Sequence, residues 1–326
     1  MSSIEPFPAG SNERQQLKWV VRSRSIVLDR PIVFGILNVT PDSFSDGGLF
    51  ESTDAALAQV ERMVAEGADA IDIGGESTRP QGARPVDASE EMARVIPIVR
   101  AVCARYPDLC VSVDTTKADV ALGALNAGAD VINDVSGFRI DPAIADIVAA
   151  TASGVVLMHS RGSVEEMGTY RYANYGSDAV ADVERELRQS LDTAQRAGVK
   201  RASIVLDPGI GFAKRTEHSL RILAELDRLV ALGYPLMVGV SRKRFVGELS
   251  GVTNASDRVA GTVGANVAAL MRGARLFRVH DVAPNRQALD VAWGVLNAAH
   301  ASSGEANAKE HRASSSRFPV PGSHHP

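Results

Sequence analysis

At 326 residues, with 45% hydrophobic and 23% charged side chains, the chain is long enough for one large core or for two domains. A net charge of −4, with both signs interspersed, excludes the basic footprint of a nucleic-acid binder and the cationic patch of a membrane-surface protein, but leaves room for local charge toward small anionic substrates. No apolar run of about eighteen residues and no signal-peptide pattern occurs, so a cytoplasmic location is expected.

Residues 1–16 are polar with two prolines and read as a flexible leader. The first strand is "RPIVFGILN", apolar up to Asn38, and it runs into the turn-rich loop "TPDSFSDGG" with Asp42 and Phe44. A helical segment, "STDAALAQVERMVAEG", precedes the strand in "ADAIDIGG" and the long polar loop "ESTRPQGARPV". A unit of amphipathic helix, glycine and apolar strand recurs, in "AEGADAIDIGG", "NAGADVINDVSG", "TASGVVLMHSRG", "RAGVKRASIVLDPG", "ALGYPLMVGVSRK" and "MRGARLFRVHD", and adding "RPIVFGILN" and "CVSVDTT" to these six gives eight strands, each followed by a helix-length segment. Glycine after a last helical turn supplies the left-handed cap, and near-continuous apolar strands are those buried on both faces of a parallel sheet. Eight such units predict an α/β fold, a single (β/α)8 (TIM) barrel over residues 17–300, with a doubly wound open sheet as the alternative. Asp54 and Ser89 stand near helix starts and fit capping roles. Cys103 and Cys110 have no nearby His pair, which argues for buried apolar residues and against a disulfide or zinc site. From Ala301 to Pro326 the chain is rich in Ser, Ala, Pro and His without periodicity and reads as a disordered tail, in which His324 and His325 are solvated.

In a barrel of this kind the C-terminal strand ends line one pocket. In order they carry Asn38, the "DIGGESTRP" stretch, Asp114, Asn133 with Asp134, His159 with Arg161, Asp207, Ser241 with Lys243, and Arg278 with His280. One polar strand end commonly caps the next helix; eight in a row point to a site. Asp114, Asn133, Asp207 and Lys243 would be costly to bury alone and suit a flat ligand edged with donors and acceptors. Thr78, Arg79, Ser241, Arg278 and His280 suit a phosphate or pyrophosphate. Asn38 offers a neutral oxygen to a Mg²⁺ that bridges phosphate oxygens and keeps most of its waters. The loops after the first two strands have the composition of lids, and Phe44 fits a residue that covers a bound substrate.

The ordered motifs "GILNVTPDSFSDGG", "DIGGESTRP", "VSVDTTK", "INDVSG", "MH", "DPGIGFAK", "SRKRFVG" and "RVHD" resemble those of the dihydropteroate synthase family from about Arg30 to Asn297. The resemblance implies a transferase of folate synthesis that condenses hydroxymethyl-dihydropterin pyrophosphate with para-aminobenzoate, releasing pyrophosphate. It implies a pterin edge held by Asp114, Asn133, Asp207 and Lys243, with Met158, Phe212 and Gly239 lining the ring faces. Asn38 is implied as the Mg²⁺ ligand. Thr78, Arg79, Arg278 and His280 are implied at the pyrophosphate, and Phe44, Pro80, Ser241 and Lys243 at para-aminobenzoate, where sulfonamides would compete. Asp42, Asp114, Asp207 and Lys243 are the implied catalytic set, and an SN1-like course follows in which pyrophosphate leaves before the arylamine attacks. A homodimer is expected, and the apolar Ala and Val positions on several faces of the last two helices admit either a subunit contact or core packing.

Two stretches depart from the family pattern. Gln81 reads as a one-residue insertion beside the aminobenzoate pocket, and the loop after "MH" differs, leaving His159 open between a satisfied strand-end residue and a functional one. A methyltransferase barrel that presents a methylated pterin shares the Asp/Asn/Asp edge but has no need of the "SRK" and "RVH" anion groups. A pterin-binding paralogue without turnover would be expected to lose Asp42, Arg79 or Lys243, and all three are present.

Overall fold

The computed structural model describes residues 17–39, 49–76 and 86–314. Its strands are β1 (Lys18–Val21), β2 (Arg24–Val27), β3 (Ile32–Asn38), β4 (Ala70–Gly74), β5 (Cys110–Asp114), β6 (Val131–Asp134), β7 (Gly154–Met158), β8 (Ile204–Asp207), β9 (Met237–Val238) and β10 (Leu276–Val279). The α-helices are α1 (Leu49–Ala65), α2 (Ala88–Arg105), α3 (Ala118–Ala127), α4 (Ala143–Thr151), α5 (Val164–Met167), α6 (Ala179–Ala197), α7 (Thr216–Ala224), α8 (Leu226–Val230), α9 (Arg244–Ser250), α10 (Val259–Met271) and α11 (Val282–Ser314).

Strands β3 to β10 make one sheet in the order β8-β7-β6-β5-β4-β3-β10-β9, and every pair in it is parallel. A parallel bridge between Leu206 and Leu236 joins the two ends, so the sheet closes into the (β/α)8 barrel and the open-sheet alternative falls. The strands are short because each needs only to cross the barrel wall. Their outward side chains, such as Leu37, Ile71, Val113 and Phe277, join the helices in one large cluster, while Phe34, Cys110, Val156 and Met237 fill the barrel interior. Cys103 and Cys110 are free thiols, as read from the sequence, and burial pushes the Cys103 thiol up to about 11.

The sequence reading did not anticipate the antiparallel hairpin β1–β2, in which Lys18 faces Val27 and Val21 faces Arg24. It seals the N-terminal end of the barrel. Trp19 is fully buried against Phe34, ring centroids 6.1 Å apart, and its Nε1–H donates to the Ser203 carbonyl at 2.8 Å. At the hairpin turn Arg22 adopts a left-handed φ of 53°, its N–H donates to Ala152 O at 2.8 Å, and its guanidinium reaches Leu125 O at 3.1 Å and Ala129 O at 2.9 Å. The hairpin thereby packs against the bottom of the barrel, beside a cleft lined by Arg24, Ile32, Asp69 and Cys110, whereas the convergent strand-end groups lie at the C-terminal end.

Two local expectations need correction. Asp87, not Ser89, caps α2: its carboxylate accepts from the Glu90 N–H at 2.8 Å, and the Ser89 hydroxyl donates to that carboxylate. Asp54 lies inside α1, which begins at Leu49, and so is no cap. The boundary drawn at Ala301 falls within α11, whose backbone stays helical to Ser314; residues 1–16 and 315–326 lie outside the described residues. No helix among the described residues is long and apolar enough to cross a membrane.

Trp19→Ala removes a large fully buried side chain and leaves the Ser203 carbonyl without its donor. The expected loss is about 3–5 kcal/mol, read as a lower midpoint in denaturant unfolding.

Candidate active site

The strand register carries Asn38, Asp114 and Asn133 to a single level. Asn38 stands opposite Gly74, Gly74 opposite Asp114, and Asp114 opposite Asn133. Gly74 supplies no side chain there, and a Cβ on it would lie 3.6 Å from the Asp114 Cβ. A cleft opens above this level, as expected of a small-molecule site at the C-terminal face of a barrel. Asn133, Met158, Asp207, Phe212, Gly239, Ser241, Lys243, Arg278 and His280 all line it. Asp207 and Arg278 therefore open onto one cavity.

Beneath the cleft lies a network the sequence reading missed. Asp72, 1% exposed on β4, accepts from Ser112 Oγ at 2.6 Å, Asn133 Nδ2 at 2.9 Å and Arg278 Nε at 2.5 Å. The guanidinium of Arg278 also donates from Nη2 to Asp114 Oδ2 at 2.9 Å. Arg278 thus belongs with the carboxylates of the flat-ligand group as much as with the anion group. A carboxylate inside the apolar run "AIDIG" was the available signal, because nothing but a partner makes such a position tolerable. Asp134, by contrast, serves its own turn: it accepts from the N–H groups of Ser136 and Phe138 and from the Ser136 hydroxyl.

Burial dominates the electrostatics. It pushes the Asp114 carboxyl up to about 7 against the pull of Arg278, and Asp207 up to about 6 against the Gly209 N–H, Lys243, Lys214 and Arg278. It lowers Lys243 to about 7, with Asp207 opposing. Arg278 is also disfavoured by burial, yet Asp72 and Asp114 hold it above its ordinary value.

Lys243 is aimed by its loop. Arg242, at a φ of 58°, donates its backbone N–H to Thr262 Oγ1 at 3.0 Å and its Nε to Asp281 at 2.9 Å, and Arg258 donates to the carbonyls of Arg242 and Lys243. The Lys243 ammonium then lies 3.6 Å from the centroid of the Phe212 ring. Met158 and Phe212 pack with Val135 and Met167 into an apolar wall. On the other side His280 N–H donates to Ser241 Oγ at 3.1 Å, and His280 Nδ1 lies 2.9 Å from the same oxygen.

The hydrogen bonds decide which face each group offers a ligand. Asn133 spends Nδ2 on Asp72 and leaves its Oδ1; Asp207 spends Oδ1 on the Gly209 N–H at 2.7 Å and leaves Oδ2. Acceptors therefore line one edge, with Lys243 as donor beside them. Asn38, half-buried at the end of β3, adjoins this group rather than lining the cleft wall. No cluster of three or more His, Cys, Asp or Glu suited to a metal exists among the described residues. One neutral amide oxygen fits a Mg²⁺ that arrives with phosphate oxygens and keeps several waters, not a resident ion caged by protein. Asp42, Phe44, Thr78, Arg79, Pro80 and Gln81 lie outside the described residues.

A closed barrel with a dry carboxylate and amide edge, an apolar ring platform and a serine and histidine pair beside it defines a binding site for a planar heterocycle at the C-terminal face. Residues 34–280 match the family of pterin binding enzymes. The dihydropteroate synthase of Synechocystis is 44% identical over 263 residues, covering 81% of this chain and 89% of the relative. The structure of Xanthomonas albilineans dihydropteroate synthase with 4-aminobenzoic acid is 45% identical with a TM-score of 0.79, covering 87% of this chain and 99% of that one. The same enzyme in complex with 7,8-dihydropteroate aligns with a TM-score of 0.76 at 43% identity, over 86% and 99% of the two chains. The chain belongs to the pterin binding enzymes, and within them to the dihydropteroate synthases.

Arg278→Met strips the shared cation from two buried carboxylates and should cost about 3–5 kcal/mol at pH 8. The deficit should be largest at high pH and shrink as pH falls toward 7: Arg278 holds the Asp114 value down, so the variant takes up this proton above the value of about 7 at which the parent does, and below 7 both carry it. Urea unfolding at a series of pH values reads both.

Proposed function

We propose that this protein condenses 6-hydroxymethyl-7,8-dihydropterin pyrophosphate with para-aminobenzoate to give 7,8-dihydropteroate and pyrophosphate. The observation that carries the reading is the convergence of Asn133, Asp207, Lys243, Arg278 and the Ser241–His280 pair on one cleft. Asn133 Oδ1 and the carboxylates of Asp114 and Asp207 meet the N–H groups of a pterin, Lys243 donates to its acceptor edge, and Met158, Phe212 and Gly239 line its faces. Arg278 and His280, with Thr78 and Arg79, hold the pyrophosphate. Phe44, Pro80, Ser241 and Lys243 hold para-aminobenzoate.

The chemistry follows from where charge develops. As the carbon–oxygen bond to pyrophosphate breaks, negative charge grows on the leaving group beside Arg278 and His280, and positive charge spreads into the pterin ring beside Asp114 and Asp207. Both are stabilised by groups already in place, so the course is SN1-like, and the neutral arylamine attacks without a strong base. Asp42 completes the catalytic set. Asn38 would hold a Mg²⁺, which when bound supplies charge neutralisation on the pyrophosphate. The methyl-transfer alternative would leave the Ser241–His280 pair without a task. Val291 and Val295, each more than half exposed one turn apart on α11, support a homodimer that uses this helix. The activity belongs to the cytoplasm.

Purified protein given Mg²⁺, the pterin pyrophosphate and para-aminobenzoate should release pyrophosphate; pterin binding without release would leave only the paralogue reading. Lys243→Ala should raise the KM of both substrates by about tenfold or more, since the ammonium lies between them; unchanged binding of either refutes its placement. Asn38→Ala should shift the Mg²⁺ titration of activity to higher concentration, and an identical titration curve would count against the ligand assignment.

A further inference from the structure

Behind the apolar wall of the cleft lies a buried charged cluster to which the reaction assigns no task. Lys214 is 1% exposed at the end of the turn formed by residues 208–213. Its Nζ lies 2.7 Å from His159 Nδ1, 3.0 Å from Gly209 O and 3.1 Å from Phe212 O. With the His159 carbonyl at 3.4 Å, three carbonyls and one ring nitrogen surround Nζ and can occupy all three N–H bonds of an ammonium, whereas a neutral amine has two. His159 therefore accepts at Nδ1 and donates from Nε2 to Glu186 at 3.0 Å, and Arg161 in turn donates from Nε to the same carboxylate at 2.9 Å. The sequence left His159 open between a satisfied and a functional residue; it is satisfied, and its partner is the unexpected one.

The turn that Lys214 ties carries two residues of the cleft. Asp207 begins it, accepting from Gly209 N–H through Oδ1 at 2.7 Å and from His159 N–H through its backbone carbonyl at 2.9 Å. Phe212 ends it. Gly209 sits at a φ of 63°, and a Cβ there would lie 1.9 Å from His159 O, so the turn is drawn hard against the end of β7.

We propose that Lys214 is a positioning residue for the pterin half of the site: its ammonium staples the 208–213 turn, seats Phe212 as the ring platform and places a positive charge behind Asp207. The proposal rests on the reading of this cleft as the pterin site. The groups facing Lys214 are His159 and Arg161 after β7, Glu186 on α6, Asp207 on β8, Lys243 before α9, and the rings of Tyr175 and His218. Burial pulls the lysine well below its ordinary value, with Asp207 pushing back. Burial and Lys214 together lower His159 to about 4, which keeps the imidazole neutral and free to accept. Asp207 in turn faces Lys243, Lys214 and Arg278.

The test is Lys214→Met, which keeps the length and removes charge and donors. We expect the KM for the pterin pyrophosphate to rise about tenfold or more while that for para-aminobenzoate moves less than about threefold. Losing a neighbouring cation raises the Asp207 pKa, so the acid limb of kcat/KM should move up by about one pH unit. Equal losses in both substrates, or an unmoved acid limb, would make Lys214 a merely structural residue and overturn the proposal. Absence of turnover in the unaltered protein would instead remove the functional reading. A measurement free of both turnover and variant folding is the ¹⁵N shift of the His159 ring in the unaltered protein between about pH 6 and 8. Nδ1 without a proton is expected throughout, and a proton found there overturns the proposal.

Discussion

The constraint on which the rest depends is the placement of Arg278 between two carboxylates at the C-terminal end of the barrel. Asp72 and Asp114 come from adjacent strands, and Arg278 comes from β10, joined to them through β3. Neither acid could be buried there without the cation, and the cation could not be buried without them. Ser112 and Asn133 fill the remaining acceptor positions of Asp72, so the network spans β4, β5, β6 and β10 and sets their polar ends at one level. A barrel wall of short strands would otherwise place those side chains with no more accuracy than ordinary packing gives.

From that network follows the selectivity of the cleft. Each recognition group has one side consumed by the protein and one left over, and the leftover sides are nearly all acceptors. Lys243 contributes a donor beside that edge, and its loop is fixed by Arg258 and Asp281 rather than by a ligand. A planar molecule with several N–H groups on one edge fits this arrangement; one with acceptors there would face unpaired carboxylates in a low-dielectric site. The raised carboxyl values of Asp114 and Asp207 and the lowered value of Lys243 express the cost of keeping these charges dry before a ligand arrives.

Much of this was legible in the chain. The helix, glycine and strand grammar marks six of the eight barrel strands, and the apolar runs of β3 and β5 supply the other two, because every strand is buried on both faces. The polar residue at each strand end was legible for the same reason: it stands out against an apolar run. What escaped was whatever broke the grammar or hid inside it. The β1–β2 hairpin has no helix on either side, and its stabilisation comes from residues far along the chain, Ser203, Ala152 and Ala129, which no local pattern reveals. Asp72 lies two residues short of its strand end, so attention passed to the glycines and the loop after it. Lys214 ends a recognisable motif, yet its partner His159 is 55 residues away, and it is the pairing of β7 with β8 that brings the two side chains together.

The two ends of the barrel divide the labour, and the division explains why the active end can carry so many compromised charges. At the bottom, the hairpin adds a fully buried tryptophan and uses its own backbone groups, so that end contributes stability without obligation to a ligand. At the top, Asp207 is gripped from behind by Gly209, His159 and the field of Lys214, while its other oxygen stays available. Gripping the back of a side chain rather than its reacting face lets a protein make a buried acid both rigid and usable. The same logic applies to Asn133, held by Asp72, and to Lys243, held through its backbone by Arg258. Rigidity of the reacting groups is thus built from residues that never touch the substrate, and changes among those residues should act on geometry and protonation before they act on affinity.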